Sequence, residues 1–253
     1  MRVLLSPEPR TLQREFYRGY SRYLQREMEM LIFGHAGARV IVFPDRAGRF
    51  FDYEDWGLVR ALQPSIEAGN LQLYCLDSLD SESFYCKTGT PRQRLMRHLA
   101  YEHYVIREVL PYIAVRNANP FTITHGCDFG AFHAVNIAFR HPQLFGKVVA
   151  FSGRYDLIEP AGMEPGLFGN YFDEDVYFNI PPRFVANLDD PQLLQLMRKL
   201  EITLVIGEAD IYYEDNQNFS RILWSKRIWH ALHVWGGEAH RPAVWRQMAP
   251  LYL

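Results

Sequence analysis

Short apolar runs alternate with longer segments of helical spacing along most of the chain. Most of the runs have four to seven residues, are rich in Val, Ile, Leu and Phe, and end in Gly, Pro or Asp. Continuous apolar runs with these boundaries are typical of strands that are covered on both faces. We predict strands over residues 28–33, 39–43, 71–75, 121–124, 147–151, 202–206 and 231–235. Helices are predicted over residues 53–68, 91–113, 129–140, 214–229 and 242–251.

The order of these elements predicts the type of sheet. Strands that alternate with helices indicate βαβ units and a mostly parallel, twisted sheet with helices on both faces. Residues 34–38 are too few for a parallel crossover, so residues 28–33 and 39–43 are predicted to form an antiparallel hairpin. Residues 156–190 are rich in Gly, Pro, Asp and Phe and are expected to form loops and short helices. No linker divides the chain, which favours one domain over residues 1–253.

Composition narrows the classes of function. Hydrophobic residues make up 48% and charged residues 22% of the 253 residues, as in ordinary globular proteins. The formal net charge of −2 provides no basic excess for binding a nucleic acid. The sequence contains no run of about 18 apolar residues, and its N-terminus lacks the apolar region of a signal peptide. Three cysteines, Cys75, Cys86 and Cys127, cannot all pair within one chain, which favours a reducing, cytoplasmic compartment.

The main candidate chemistry lies between residues 121 and 142. An apolar strand runs into Gly126-Cys-Asp-Phe-Gly130 and then into a helix, which is the context of the nucleophile elbow, G-x-S-x-G. The two glycines allow the sharp turn, because a Cβ at either position would clash. Asp128 would project at the carboxyl edge of the sheet. The N–H of Phe129 would point toward a developing oxyanion.

Two further residues complete an order of functional groups along the chain. Asp210 follows the predicted strand 202–206, and His240 follows the last predicted strand. Nucleophile, acid and histidine occur in this order in α/β-hydrolases. Glu208 competes for the role of the acid, and Asp210 is favoured.

On these residues the chain resembles the putative esterases of the α/β-hydrolase superfamily, the group that includes esterase D-like enzymes. The resemblance covers nearly the whole chain, including residues 33–44, 72–80, 133–142, 175–179 and 245–248. It implies a single-domain α/β-hydrolase fold and a small-molecule ester as substrate. It also implies a triad at Asp128, Asp210 and His240. Neither a cofactor nor a metal is implied, and a homo-oligomer is compatible with the sequence.

The chain departs from this family at two positions. The family has Ser where this chain has Asp128, which removes the hydroxyl that forms an acyl-enzyme. The family commonly has His-Asp-Trp-Pro where this chain reads His240-Arg241-Pro242. A cation at Arg241 would lower the pKa of the histidine or pair with a carboxylate such as Asp128.

Asp128 allows three interpretations. In the first, ester hydrolysis is impaired or lost, and the helix N-terminus merely stabilises the Asp128 carboxylate by about 0.3–1 kcal/mol. The protein would then bind a ligand in the former catalytic cleft without catalysis. Alternatively, Asp128 attacks alkyl carbons, as the related haloalkane dehalogenases and epoxide hydrolases do, with His240 activating water. In the third interpretation, Asp128 is a general base or a metal ligand, although no closely spaced zinc motif is present.

Several other residues are candidates for the cleft. The loop after residues 39–43 is expected to supply a second oxyanion donor, the backbone N–H of Arg46. Ser78, His125 and Arg241 are candidates for contact with substrate. For Ser78 the alternative is a turn cap, and for His125 it is a buried, hydrogen-bonded imidazole. Cys127 and His133 are expected to pack inward.

Overall fold

The computed structural model of the protein describes residues 12–253, which form eight strands and ten α-helices. The strands are β1 (Arg14–Ser21), β2 (Arg26–Phe33), β3 (Ala38–Phe43), β4 (Leu71–Leu76), β5 (Thr122–Cys127), β6 (Lys147–Phe151), β7 (Glu201–Gly207) and β8 (Ala231–Trp235). The helices are α1 (Asp52–Asp55), α2 (Leu58–Glu67), α3 (Pro91–Tyr104), α4 (Leu110–Arg116), α5 (Phe129–Arg140), α6 (Glu174–Phe178), α7 (Pro181–Ala186), α8 (Pro191–Met197), α9 (Tyr213–Ser225) and α10 (Pro242–Tyr252). A π-helical turn joins α3 to α4.

The strands form one mixed sheet in the order β1-β2-β4-β3-β5-β6-β7-β8. β2 pairs antiparallel with both β1 and β4. The remaining neighbours, from β4 to β8, pair in parallel. The predicted α/β class, with an antiparallel N-terminal hairpin and a mostly parallel sheet, is confirmed.

The predicted partner of residues 28–33 in that hairpin is wrong. β2 pairs with β1, and β4 lies between β2 and β3. The short connection can span this gap, because it only has to cross one intervening strand, a distance of about 10 Å. Gly34 and Gly37 have positive φ of 91° and 93°, which turns the chain out of β2. A Cβ on Gly37 would lie 2.2 Å from the carbonyl carbon of Asn70, so only glycine lets the connection pass the start of β4.

Alternate side chains of the buried strands contribute to two apolar layers. In β3, Ile41 and Phe43 pack with residues of α3, α4, α5 and α9. Val40 and Val42 pack on the opposite face with residues of α1, α2 and α10. The expected covering of both faces by helices is therefore confirmed, and it leaves the carboxyl ends of the parallel strands as the edge where polar loops gather.

The predicted helices differ from the structure mainly where one predicted helix is divided into two. Residues 53–68 divide into α1 and α2 at Gly57, whose φ is +77°. Residues 156–190 form loops and the short helices α6 and α7, as expected. In residues 12–253, no helix has the length and apolar character needed to cross a membrane.

Candidate active site

Asp128 occupies the tight turn between β5 and α5. Its φ of 48° and ψ of −115° are dihedrals that side chains other than glycine rarely adopt. Its N–H donates a hydrogen bond of 2.9 Å to the carbonyl of Phe151 on β6. A Cβ on Gly126 would lie 2.2 Å from the carbonyl carbon of Gly130, and a Cβ on Gly130 would lie 2.4 Å from the carbonyl oxygen of Phe43. The expected clash at both glycines is confirmed, and α5 packs directly over the strands.

The structure brings the three predicted functional groups into contact. His240, between β8 and α10, has its Nε2 3.3 Å from Asp128 Oδ1. Its Nδ1 donates to Asp210 Oδ1 at 3.2 Å. Both carboxylates are buried, with 5% and 6% of Asp128 and Asp210 exposed. Glu208, the competing acid, instead accepts a hydrogen bond from the N–H of Gly237.

The carboxylates on both sides of His240 fix its charge. Burial alone would lower the pKa of the imidazole, but Asp128 and Asp210 outweigh it and raise that pKa to about 10. Burial would likewise raise the pKa of Asp128. Hydrogen bonds from His240 and Asp45, together with the charge of Arg46, hold the Asp128 pKa below its ordinary range. At neutral pH the arrangement is an imidazolium between two carboxylates.

A second carboxyl group, Asp45, lies against Asp128. It follows β3 and reaches Asp128 through a side-chain hydrogen bond. Burial and the adjacent Asp128 carboxylate raise the pKa of Asp45. Ionising two carboxyl groups this close together is unfavourable, so Asp45 keeps its proton and donates a hydrogen bond to Asp128. This contact was not predicted from the sequence, because it joins residues that follow different strands.

The loop that carries Asp45 has its backbone donors engaged. The N–H of Arg46, predicted as the second oxyanion donor, donates to the Asp45 carboxyl. The N–H of Ala47 donates to Asp80 Oδ2 at 3.0 Å. Phe129 begins α5, so its N–H has no acceptor within the helix and stays a candidate oxyanion donor.

The guanidinium group beside Asp128 is that of Arg46, and Arg241 does not take the role expected of it. Arg46 Nη2 lies 3.9 Å from Asp128 Oδ2. Arg241 occupies the residue before α10 in an extended conformation, and its side chain is exposed. The expected role of Arg241 was inferred from its position next to His240. The two side chains point in different directions, because His240 turns inward while Arg241 faces solvent.

Two other cleft candidates have separate outcomes. His125 has no exposed surface, and its Nδ1 lies 2.8 Å from the carbonyl oxygen of Val149. Its ring packs edge-on against Tyr53 and Phe151. The cleft assignment of His125 is wrong, because its position in β5 directs it into the layer under α2 and α10. Ser78 is half-buried, and its Oγ accepts a hydrogen bond of 3.3 Å from the N–H of Asp80.

The buried pair of His133 and Asp80 connects two of the segments that carry the site. His133 Nε2 on α5 lies 2.9 Å from Asp80 Oδ1, and these side chains are 4% and 1% exposed. Asp80 also accepts the N–H of Ala47, so it ties the loop carrying Asp45 to the helix that begins after Asp128. His133 packs inward as expected, and its contact with Asp80 was not predicted. Within residues 12–253, no three His, Cys, Asp or Glu side chains are grouped to hold a metal ion.

Comparisons with known proteins identify the family and the fold. A family model described as Putative esterase matches residues 39–240. A ferulic acid esterase superimposes with a TM-score of 0.75 at 16% identity, covering 95% of each chain. An S-formylglutathione hydrolase from Staphylococcus aureus gives 0.68 at 13% identity, covering 97% of this chain and 96% of its own.

An S-formylglutathione hydrolase from Agrobacterium tumefaciens gives 0.69 at 16% identity, covering 94% of this chain and 92% of its own. At such identities the superpositions establish a shared fold. No curated protein sequence matches the chain.

Proposed function

The chain belongs to the putative esterase family, and on that basis we propose that Asp128 stands at the position of the family's nucleophilic Ser and impairs ester hydrolysis. Ferulic acid esterase and S-formylglutathione hydrolase are the names of similar structures. Their shared class, small-molecule esters, is the ligand class that we propose for this cleft. A cytoplasmic location is proposed from the three cysteines, all of which are free.

The contact between His240 and Asp128 carries this proposal. In a serine esterase, a neutral histidine takes the proton of the serine hydroxyl as that oxygen attacks the carbonyl carbon. Asp128 has no hydroxyl to activate, and its attack on an ester carbonyl would give an anhydride. The imidazole also has a pKa raised to about 10, so it is protonated at neutral pH and cannot accept a proton.

The loop after β3 supports the same conclusion. An oxyanion site needs donors directed at the oxygen that becomes charged in the transition state. The Arg46 N–H donates to the Asp45 carboxyl, so this donor is already paired within the protein. Ester hydrolysis would therefore lack one of its two expected oxyanion donors as well as its nucleophile.

One observation favours a second candidate, an Asp-nucleophile hydrolase that acts on alkyl carbon. Asp128, His240 and Asp210 touch in the order nucleophile, water activator and orienting acid. The first carboxylate is, however, bound by His240 and Asp45 and has a lowered pKa, which weakens it as a nucleophile. We therefore rank this activity second.

Hydrolysis of short-chain p-nitrophenyl esters tests the main proposal. The protein, Asp128→Ser and Asp128→Ala are compared at neutral pH. We expect activity only in Asp128→Ser, because this change supplies a hydroxyl and removes a carboxylate that holds His240 in its protonated form. Activity in the unmodified protein that Asp128→Ala abolishes would instead establish Asp128 as catalytic and would refute impairment.

A trapping experiment separates the second candidate. In His240→Gln, an alkyl ester formed on Asp128 would accumulate, because the residue that activates water is missing. Mass spectrometry after incubation with an alkyl halide or an epoxide detects the added mass. Asp128→Ala/His240→Gln is the matched control. An unlabelled Asp128 would exclude nucleophilic attack on these substrates.

A further inference from the structure

The side chain of Glu164 brings a carboxylate to a group of donors beside Asp128. Arg46 Nη2 donates to both oxygens of this carboxylate, at 2.8 and 2.9 Å. The hydroxyl of Tyr212 donates to it at 2.8 Å, and Arg154 Nη1 donates at 3.3 Å. Two guanidinium groups and a phenol thus converge on one carboxylate, next to the proposed nucleophile position.

Two of these donors are buried, and the third, Arg46, is 34% exposed. Arg154 and Tyr212 are each 1% exposed. Arg154 is fixed by hydrogen bonds from Nη2 to the carbonyl oxygens of Glu159 and Pro165. Arg46 lies over the ring of Tyr85, with its guanidinium carbon 4.9 Å from the ring centre. The donor group is therefore preorganised, which lowers the cost of binding a ligand.

Three donors in this group or beside it have no partner in the described part of the protein. The Nε atoms of Arg46 and Arg154 and the hydroxyl of Tyr85 are buried and have no hydrogen-bond partner among residues 12–253. Leaving a buried donor unpaired is unfavourable, so buried donors are normally paired with an acceptor. Glu164 supplies only one carboxylate to a site that has donors left over.

The residue that supplies this carboxylate lies on a small surface turn. Ala161 and Glu164 exchange two backbone hydrogen bonds, of 2.9 and 3.0 Å, and the turn between them consists of Gly162 and Met163. Met163 is fully exposed, and 27% of the Glu164 side chain is exposed. A ligand carboxylate would therefore have to replace the hydrogen bonds that these donors make to Glu164 before this turn could move outward.

We propose that Arg46, Arg154 and Tyr212 form a carboxylate-binding subsite, and that Glu164 occupies it in place of the carboxylate of a small-molecule ligand. Arg46 Nη2 already donates to both oxygens of a carboxylate, which is a contact that a ligand carboxylate could take over. The inference rests on the proposed function only for the position of the cleft. Binding at the subsite requires no ester bond to be broken.

Competition between Glu164 and the ligand gives a measurable consequence. A ligand that binds only when Glu164 has released the donors has a lowered apparent affinity. That affinity is the intrinsic affinity multiplied by the fraction of molecules in which the donors are released. If Glu164 holds them about nine-tenths of the time, its removal raises the affinity about tenfold. We therefore expect Glu164→Gln to bind a carboxylate ligand about tenfold more tightly than the unmodified protein.

Isothermal titration calorimetry with benzoate, at neutral pH, tests this expectation on the full chain. Benzamide, which has the same ring without the charge, is the matched neutral probe. Glu159→Gln is the matched control variant, because Glu159 is on the same loop but pairs with Arg183. Arg46→Gln should lose the binding of benzoate. The helical circular dichroism and thermal unfolding of each variant establish that it is folded.

Several outcomes would overturn the proposal. If benzoate bound with the same affinity to the unmodified protein, Glu164→Gln and Arg46→Gln, it would not be binding at the proposed subsite. Equal affinity for benzamide, or no binding of benzoate by folded Glu164→Gln, would show that the Glu164 contacts only hold the loop. Binding of inorganic phosphate without benzoate would refute a carboxylate ligand. If Glu164→Gln does not fold, loss of benzoate binding in Arg46→Gln decides the question. None of these results depends on whether Asp128→Ser hydrolyses esters.

Discussion

His240 Nε2 lies 3.3 Å from Asp128 Oδ1. In a serine esterase, the histidine contacts a hydroxyl instead of a carboxylate. The proposed replacement of Ser by Asp128 would change the histidine as well as the nucleophile. A neutral hydroxyl leaves the imidazole free to take a proton, whereas a carboxylate stabilises the protonated ring. Under this proposal, one residue alters two functional groups of the site.

The protonation of His240 gives the first prediction. The pKa of this imidazole is raised to about 10, and its ordinary value is 6.5. Its contribution to stability is therefore complete below pH 6.5 and is lost as the pH rises through about 10. Nuclear magnetic resonance of the histidine rings, assigned with His240→Gln, should show a charged His240 at pH 8. In Asp128→Asn its pKa should fall. Titration of His240 near pH 6.5 in the unmodified protein would contradict the ion pair.

Asp45 gives the second prediction, which concerns the oxyanion donor. In the Asp128→Ser background, Asp45→Ala should free the Arg46 N–H and raise kcat on the order of tenfold to hundredfold, since one such donor typically contributes about 10²–10³. The effect should appear in kcat and leave KM nearly unchanged, because the donor acts on the transition state.

The control for this experiment is a carboxylate at the end of that loop, where α1 begins. Asp52 accepts the N–H of Arg49 and makes no contact with Arg46. Asp52→Ala in the same background should therefore leave kcat unchanged. An equal rise in both variants would point to a general loosening of the loop, and no rise in Asp45→Ala would refute its role.

The strand pattern was sufficient to predict the sheet but not its complete order. Each strand from β3 to β8 was found from its apolar run. The position of β4 between β2 and β3 depends on pairing between segments some 40 residues apart, which hydrophobic spacing does not encode. β1 was missed because its residues are mostly exposed and its sequence, REFYRGYS, has no continuous apolar run.

The site shows the same division between local and long-range information. Asp128, Asp210 and His240 could be predicted because each follows a strand and carries a recognisable local motif. Glu164 could not be connected with Arg46, which lies 118 residues earlier in the chain. His125 was misplaced because a strand buried on both faces has apolar neighbours throughout, so its sequence does not say which side chains reach the edge.

The third prediction concerns the buried pair Asp80–His133. Asp80→Asn removes the charge from a side chain that binds both His133 and the N–H of Ala47, and it should lower the free energy of unfolding by about 2 kcal/mol. Glu82→Gln is the control, because Glu82 is 38% exposed and its pairs with Arg26 and Arg97 are at the surface. That change should cost less than about 1 kcal/mol. Urea denaturation measures both, and equal effects would contradict an anchoring role for Asp80.

The last prediction concerns the close approach of α5 to β3. A Cβ on Gly130 would lie 2.4 Å from the carbonyl oxygen of Phe43 and 2.6 Å from that of Pro44, and neither backbone can move aside easily. Gly130→Ala should therefore lower the free energy of unfolding by about 3 kcal/mol, despite the better helix propensity of Ala. Gly236→Ala is the control, since its Cβ would meet Glu208 only at 4.0 Å. Urea denaturation should separate the two variants, and similar stabilities would show that α5 can shift away from the strand without cost.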